Sequence, residues 1–285
     1  MIKVILWDID GTLLNFEKAE SVAIKKCFRL FHLGECTDEM VKRYAKINKY
    51  YWEQLELGVM SKQEILVERF RHFFLQEGIL CNDIEAFNQE YQLRLSDTIC
   101  FNDNGLELVT RLKGKVKQYA VTNGTLVAQT RKLELSGLKN ILDGVFISDV
   151  IGVEKPNIEF FQYVWKHIGK YKKEEVLIVG DSLTSDMQGG NNAGILCCWY
   201  HKKNENSANH TKHIEYTKNA MGTNYEKHTK NAMDTNYEKY PPNAMHSKNV
   251  MHPNDTMYIK NREGISIDME IDNLQQIEYL IENRG

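Results

Sequence analysis

The sequence predicts an α/β protein with a doubly wound parallel sheet and an inserted, all-helical cap. Apolar runs of strand length alternate with helical patterns along most of the 285 residues, which is typical of parallel sheets. The first apolar run ends in two carboxylates, Asp8 and Asp10, followed by Gly11. Directly after it, residues 15–97 show helical periodicity without any β-like alternation.

The α/β part is divided by the cap into residues 1–14 and 98–285. Its apolar runs are short and continuous, as in strands that are buried on both faces. The predicted strands are residues 3–6, 116–122, 144–148, 175–180, 195–200 and 265–271. The predicted helices are residues 106–112, 126–135 and 274–281, one helix that has Pro156 near its first turn and one that follows Asp186.

The cap, residues 15–97, contains three runs of apolar residues at helical spacing. Ser61 and Glu64 have the spacing of a capping box and mark the start of the third helix. Most aromatic residues of the cap are expected to form its core. On a helix, the consecutive Tyr50, Tyr51 and Trp52 point in three directions, so they cannot all be buried together.

Charge and composition exclude several classes of partner. The formal net charge is −3, which gives no electrostatic reason to expect a nucleic-acid polymer or a membrane surface. No apolar run approaches the roughly 18 residues of a transmembrane helix. The chain enters its first strand at once, and its six cysteines form no C-x-x-C pair. We therefore expect a cytoplasmic protein with reduced thiols.

Residues 203–262 differ from the rest of the chain. They contain no Leu, Phe or Trp, and the sequence of residues 217–228 recurs in residues 229–240 with two differences. A 12-residue unit with so few apolar side chains cannot bury a stacking face. We predict a low-complexity, disordered insertion, with a His-rich metal site or a partner-binding arm as the alternative.

The two carboxylates after the first strand predict a cation site. Asp8 and Asp10 start on the same side because side chains alternate along a strand, and ligands collect at the carboxyl ends of parallel strands. Adjacent like charges are costly unless they are neutralised, and Mg²⁺ does this with oxygen ligands. A solvated Asp-Gly turn is the alternative.

Polar residues at other strand ends favour the cation site over a solvated turn. Thr122 and Asn123 follow one strand, Asp181 follows another, and Lys155 and Asp186 lie just beyond strands. Each has an ordinary explanation as a turn residue, a solvated charge or a helix N-terminal acid. Their common position predicts that they converge at one edge of the sheet.

These motifs resemble those of the haloacid dehalogenase superfamily of phosphohydrolases. Asp8-Ile-Asp10-Gly-Thr12 is similar to its first motif, Thr122-Asn123 to its second, Lys155-Pro156 to its third, and the stretch from Gly180 to Asp186 to its fourth. The resemblance covers about residues 1–202 and 265–284, and the inserted helices resemble a C1-type cap. In detail the chain is similar to the noncanonical pyrimidine 5′-nucleotidase branch, from which it departs at Ile9 and in the repeat insertion.

The resemblance implies a role for each site residue. Asp8 is the expected nucleophile, which forms an aspartyl-phosphate, and Asp10 is the expected general acid and base. The expected Mg²⁺ ligands are the Asp8 carboxylate, the Asp10 backbone carbonyl and Asp181, with Asp186 in a supporting position. The expected phosphoryl-binding groups are Thr122, the Asn123 backbone amide and Lys155.

Three functions compete. The first is a Mg²⁺-dependent phosphatase acting on nucleoside 5′-monophosphates, pyrimidine and noncanonical ones included. The second is a phosphosugar phosphatase or a β-phosphoglucomutase-like enzyme on the same fold, and the third is a non-catalytic binding protein. A helical cap rich in aromatic residues favours a planar base over a sugar. We expect a small phosphomonoester as partner, no nucleic-acid polymer, no membrane, and a monomer or homodimer.

Overall fold

The computed structural model describes residues 1–202 and 264–283 and contains one parallel sheet of six strands. The strands are β1 Val4–Trp7, β2 Lys117–Thr122, β3 Gly144–Ile147, β4 Val176–Gly180, β5 Leu196–Tyr200 and β6 Met269–Ile271. Their order in the sheet is β3-β2-β1-β4-β5-β6. The predicted fold class is confirmed. The predicted disorder of residues 203–262 concerns a segment outside the described residues.

Strand β1 lies in the middle of the sheet, and all four of its residues are buried. It pairs in parallel with β2 on one side and with β4 on the other. The last residue, Trp7, is level with Ala120 of β2 and Val179 of β4. The loops that leave β1, β2 and β4 therefore meet at one edge of the sheet.

Helices cover both faces of the sheet. Consecutive residues of β1 point to opposite sides, and both faces are apolar and have to be buried. Ile5 and Trp7 belong to one hydrophobic cluster, and Val4 and Leu6 belong to another. On the Trp7 side lie α5 Gly105–Leu112, α6 Leu126–Leu135 and α10 Gln276–Asn283. On the Leu6 side lie α8 Ile158–Ile168 and α9 Gln188–Ala193, and the short α7 Ser148–Ile151 follows β3.

Between β1 and α5, the chain forms four helices instead of the three that the periodicity indicated. They are α1 Phe16–Leu30, α2 Asp38–Glu56, α3 Lys62–Glu77 and α4 Ile84–Leu95. They share a hydrophobic cluster rich in aromatic rings, including Phe28, Tyr44, Phe70 and Phe87. The capping box of Ser61 and Glu64 is present at the start of α3. The boundaries of a separate cap at residues 15–97 stay a prediction.

Several element boundaries differ by one to four residues from the sequence-based expectation. Strand β6 begins at Met269 rather than at residue 265, because the Asn191 side chain of α9 binds the backbone N–H and C=O of Ser266. Helix α8 begins at Ile158, two residues beyond Pro156, whose peptide bond with Lys155 is cis. None of the described helices combines the length and the apolar character that crossing a lipid bilayer requires.

Candidate active site

The loop after β1 places Asp8 against the loop after β4. The backbone N–H of Asp8 donates to the carbonyl of Val179 at 2.9 Å, which continues the ladder between the strands. Gly11 has a φ of +94°, and a Cβ atom there would lie 2.3 Å from Oδ2 of Asp181. Only glycine permits this approach. Asn102 holds the turn by donating to the carbonyl oxygens of Gly11 and Thr12, at 3.0 and 2.9 Å.

Lys155 is a buried ammonium between two carboxylates. Its Nζ donates to Oδ1 of Asp8 at 2.9 Å, to Oδ1 of Asp186 at 2.6 Å and to the carbonyl of Val121 at 2.9 Å. These contacts use all three N–H groups of the ammonium. Burial alone would lower the pKa of Lys155, but the carboxylates of Asp186 and Asp8 raise it above its usual value. Lys155 therefore stays charged and fixes the orientation of Asp8.

Thr122 and Asn123 form the loop after β2, beside Lys155. The side-chain amide of Asn123 binds the backbone of Lys155 rather than pointing away from the loop, with contacts of 2.9 Å to its N–H and 2.8 Å to its carbonyl. The Thr122 hydroxyl accepts a hydrogen bond from the backbone N–H of Gly124 at 3.1 Å. The structure thus brings Thr122, Asn123 and Lys155 together, as the sequence predicted.

Three carboxylates form an acidic cluster at the ends of β1 and β4: Asp8, Asp181 and Asp186 each contribute one oxygen, and these oxygens lie within 4.8 Å of one another. Both oxygens of Asp186 are already bound, one by Lys155 and the other by the backbone N–H of Ser182 at 3.1 Å. Asp186 lies inside a short π-helix, Leu183–Met187, rather than at the start of an α-helix. By contrast, Oδ2 of Asp8 is buried without a partner among the described residues.

Negative charge is in excess at this cluster. Burial is the main cause that raises the pKa of Asp8 to about 7, with Asp186 adding to it and Lys155 opposing it. Asp181 is exposed as a residue, but its carboxyl faces the cluster. Desolvation, followed by the negative charges of Asp8 and Asp186, raises the pKa of this carboxyl well above the usual range. An oxygen without a partner and an all-oxygen donor set fit a hard divalent cation such as Mg²⁺.

Asp10 points to helix α6, where two side chains bind its carboxylate. Nζ of Lys132 lies 2.5 Å from Oδ1, and Nε2 of Gln129 lies 2.6 Å from Oδ2. Sequence reasoning predicted neither Lys132 nor Gln129 as a site residue. The available signal was their position three residues apart on the helix that follows the Thr122–Asn123 loop, which puts them on one face.

Side chains of α2, α3 and α4 reach three of the loops at this edge. Glu56 at the end of α2 accepts hydrogen bonds from Thr184 and, at 3.4 Å, from Ser182 in the loop that follows β4. Lys62 at the start of α3 lies 2.6 Å from Asp149. Gln92 of α4 accepts a hydrogen bond from Thr125 at 2.9 Å. Sequence reasoning missed these contacts, because charged and amide residues on helices ordinarily face solvent.

Comparison with known proteins identifies the family. A sequence model of the haloacid dehalogenase-like hydrolases matches residues 2–194. The chain belongs to this family. Pyrimidine 5′-nucleotidase PynA of Streptococcus pneumoniae is 36% identical to it over 74% of this chain and 90% of that protein. Pyrimidine 5′-nucleotidase YjjG of Escherichia coli is 28% identical over 68% of this chain and 84% of that protein.

A solved member of the family has the same fold as the described part of this chain. The HAD-hydrolase YfnB of Bacillus subtilis, crystallised with magnesium, superposes with a TM-score of 0.73 at 25% identity and covers 98% of both chains. The resemblance found in the motifs is confirmed. The family match and the two nucleotidase relatives support the predicted enzyme class, a phosphoric monoester hydrolase. The roles of the individual site residues stay predictions.

Proposed function

We propose that this enzyme is a Mg²⁺-dependent phosphatase that hydrolyses nucleoside 5′-monophosphates, pyrimidine and noncanonical ones included, through an aspartyl-phosphate at Asp8. The observation that carries the proposal is the environment of Asp8. One of its oxygens is held by the buried Lys155, and the other is buried without a partner among the described residues. A carboxylate with one oriented oxygen and one free oxygen is suited to attack at phosphorus.

Side chains of this protein account for both steps of the reaction, the formation and the hydrolysis of the aspartyl-phosphate. In the first step, a bond forms between an Asp8 oxygen and phosphorus while the bond from phosphorus to the 5′-oxygen breaks. Protonated Asp10 gives its proton to that leaving oxygen. In the second step, a water oxygen bonds to phosphorus, the Asp8–phosphorus bond breaks, and the Asp10 carboxylate takes a proton from the water. This returns both aspartates to their initial states.

The remaining groups bind the phosphoryl oxygens and the cation. The Thr122 hydroxyl and the Asn123 backbone amide bind phosphoryl oxygens and so stabilise the charge of the transition state. The Lys155 ammonium joins them by exchanging one of its three present contacts for a phosphoryl oxygen. The Asp8 carboxylate, the Asp10 backbone carbonyl and Asp181 would hold Mg²⁺, which when bound would offset negative charge on the phosphoryl group.

Helix α2 carries an aromatic ring that can contact the leaving group. Tyr50 and Tyr51 pack on each other at 5.3 Å, and Tyr51 also contacts His72 at 6.0 Å. Trp52 is half-buried and stacks on no other ring in the described part of the chain. It shares a helix face with Glu56, four residues later, which contacts the loop after β4. Trp52 is thus available to stack on a planar base near the acidic cluster.

The substrate assignment is tested by comparing kcat/KM in Mg²⁺ for UMP, dTMP and 5-substituted analogues with that for glucose 6-phosphate. We expect the nucleotides to be preferred. Trp52→Leu lowers that preference by about 5- to 150-fold, since stacking on an aromatic ring contributes roughly 1–3 kcal/mol per base. Trp165→Leu, which changes a half-buried tryptophan of α8, leaves the preference unaltered. A wild-type preference for glucose 6-phosphate contradicts the nucleotidase proposal and leaves only the phosphatase.

A further inference from the structure

Lys132 is a buried lysine that forms an ion pair with Asp10 and also acts electrostatically on the carboxyl of Glu20. Its side chain is 1% exposed, and among the described residues its ion pair is with Asp10, at 2.5 Å. Burying an ammonium is costly unless it is paired and hydrogen-bonded. A lysine in the middle of α6 could have extended into solvent, as its neighbour Arg131 does. The free-energy cost of burying the Lys132 ammonium therefore indicates that this side chain has a role in the active site.

Gln129 completes the contact to Asp10 from the same face of α6. Its Nε2 donates to Oδ2 of Asp10 at 2.6 Å, while Lys132 binds Oδ1. Gln129 passes close over the loop after β2: a Cβ atom on Gly124 would lie 2.0 Å from its Nε2. Its Oε1 is buried without a partner among the described residues. Gln129 is therefore packed between the acid-base residue and the loop expected to bind phosphate.

Two donors on a rigid helix fix both oxygens of the Asp10 carboxylate. A carboxylate bound at one oxygen can rotate about its Cβ–Cγ bond, whereas one bound at both oxygens from a single element cannot do so without breaking a contact. Proton transfer requires the acid within hydrogen-bond distance of the leaving oxygen, and displacement by about 1 Å can cost on the order of 100-fold in rate. The orientation of Asp10 is thus set by α6 and not by its own loop alone.

We propose that Lys132 and Gln129 are positioning residues that hold Asp10 for proton transfer. This inference rests on the proposed function, because it presumes that Asp10 is the acid and base. The alternative is that Lys132 merely balances a buried charge and contributes to stability. The two alternatives predict different rates for Lys132 variants on a substrate whose leaving group needs no proton.

The test compares a nucleotide with p-nitrophenyl phosphate in Lys132→Met and Gln129→Leu. UMP must receive a proton on its leaving oxygen, whereas p-nitrophenolate leaves as a stable anion. We expect kcat for UMP to fall by roughly 10²–10³-fold in Lys132→Met with KM little changed, as for the loss of a positioned acid. The first turnover of p-nitrophenyl phosphate stays within about tenfold of the wild-type rate and appears as a burst of p-nitrophenolate, because only the second step then needs Asp10.

Controls separate this inference from folding and from the proposed function. Arg131→Met, on the adjacent exposed residue of α6, keeps wild-type rates on both substrates. If Lys132→Met does not fold, Gln129→Leu and Lys132→Gln carry the same comparison. An equal loss in the first-turnover rates of the two substrates overturns the positioning role, as does wild-type turnover of UMP by folded Lys132→Met. If Asp8→Asn retains activity, the proposed function itself fails, whereas an inactive Asp8→Asn beside a fully active Lys132→Met refutes only the present inference.

Discussion

The side-chain amide of Asn123 binds the backbone of Lys155 through both of its ends. Its Oδ1 accepts from the Lys155 N–H at 2.9 Å, and its Nδ2 donates to the Lys155 carbonyl at 2.8 Å. This pair of hydrogen bonds joins the loop after β2 to the segment that carries the buried ammonium. The hydroxyl of Thr122 and the ammonium of Lys155 are therefore positioned by one rigid connection, and Asp8 is positioned through Lys155.

Asn123→Ala should weaken both the fold and the site. It leaves a buried N–H and a buried C=O of Lys155 without partners, which costs about 1–3 kcal/mol of unfolding free energy for a group of this kind. The loosened Lys155 segment lowers kcat as well. Urea unfolding and steady-state kinetics measure the two effects. Asn140→Ala removes an exposed asparagine side chain and serves as the control; an Asn123→Ala enzyme that matches it in both measurements contradicts the structural role.

Lys155→Met should be strongly destabilising in the absence of Mg²⁺. It removes the cation between Asp8 and Asp186, and an unpaired buried charge costs about 3–5 kcal/mol. Added Mg²⁺ supplies positive charge to the same carboxylates, so we expect it to recover part of the loss. Unfolding free energies with and without Mg²⁺ test this. Lys166→Met on the exposed side of α8 provides the reference, and equal stability of the two variants contradicts the prediction.

The buried carboxyl of Glu20 predicts a specific dependence of stability on pH. Burial raises its pKa from 4.5 to about 7, although hydrogen bonding from Asn48 and the charge of Arg69 oppose the shift. The folded state therefore holds this proton more tightly than the unfolded state. The resulting stability is fully present below pH 4.5 and is lost as the pH rises through 7.

Glu20→Gln isolates this contribution, because a glutamine oxygen still accepts the hydrogen bond from Asn48 but does not titrate. Between pH 5 and pH 8 the wild-type protein should lose about 2–3 kcal/mol of unfolding free energy relative to Glu20→Gln. The exposed Glu17→Gln, on the same helix, should show no such difference. Parallel pH profiles for the wild type and Glu20→Gln contradict the prediction.

The repeat insertion should be dispensable for turnover. It connects β5 to β6, which are parallel neighbours, so its replacement must run back along the sheet. Such a crossover needs a dozen or more residues. We predict that about twelve Gly and Ser residues in place of residues 204–262 leave kcat/KM within a few-fold, because this segment has little apolar surface to support a fold. Limited proteolysis should cut the native chain there first. A large loss of activity would indicate that the insertion contacts the site or a required partner.

The sequence predicted the edge of the sheet well because strand ends are local signals. Apolar runs followed by Asp8, Thr122 and Asp181 show which residues lie at strand ends. Parallel pairing of β1 with β2 and β4 then brings these strand ends to the same edge of the sheet. Lys132 and Glu56 were not predicted as site residues. Each is a charged residue on a helix, and its partner depends on how that helix packs against the sheet, which no local pattern encodes.

The missed helix α4 has a similar explanation. Its buried side chains include the amide of Gln92 besides Phe87, Tyr91 and Leu95, so its apolar stripe is interrupted. Gln92 is polar because it contacts Thr125 at the active-site edge. The other three helices also bury one polar side chain each, Glu20, Asn48 and Arg69. They are 15 to 19 residues long against 12 for α4, so the shorter helix gave the weaker periodic signal.

The most direct test of the whole account is chemical trapping of the phosphorylated enzyme. UMP labelled in its phosphate is mixed with excess enzyme in Mg²⁺, and the reaction is quenched in acid so that label on the protein can be measured. A second portion of the protein is reduced with borohydride, which converts an aspartyl-phosphate to homoserine. We predict that peptide mapping finds homoserine at position 8 in the wild type, and that Asp8→Asn folds normally but shows neither label nor turnover, since an amide is a poor nucleophile. Substantial turnover by Asp8→Asn, or label at another residue, would contradict the account.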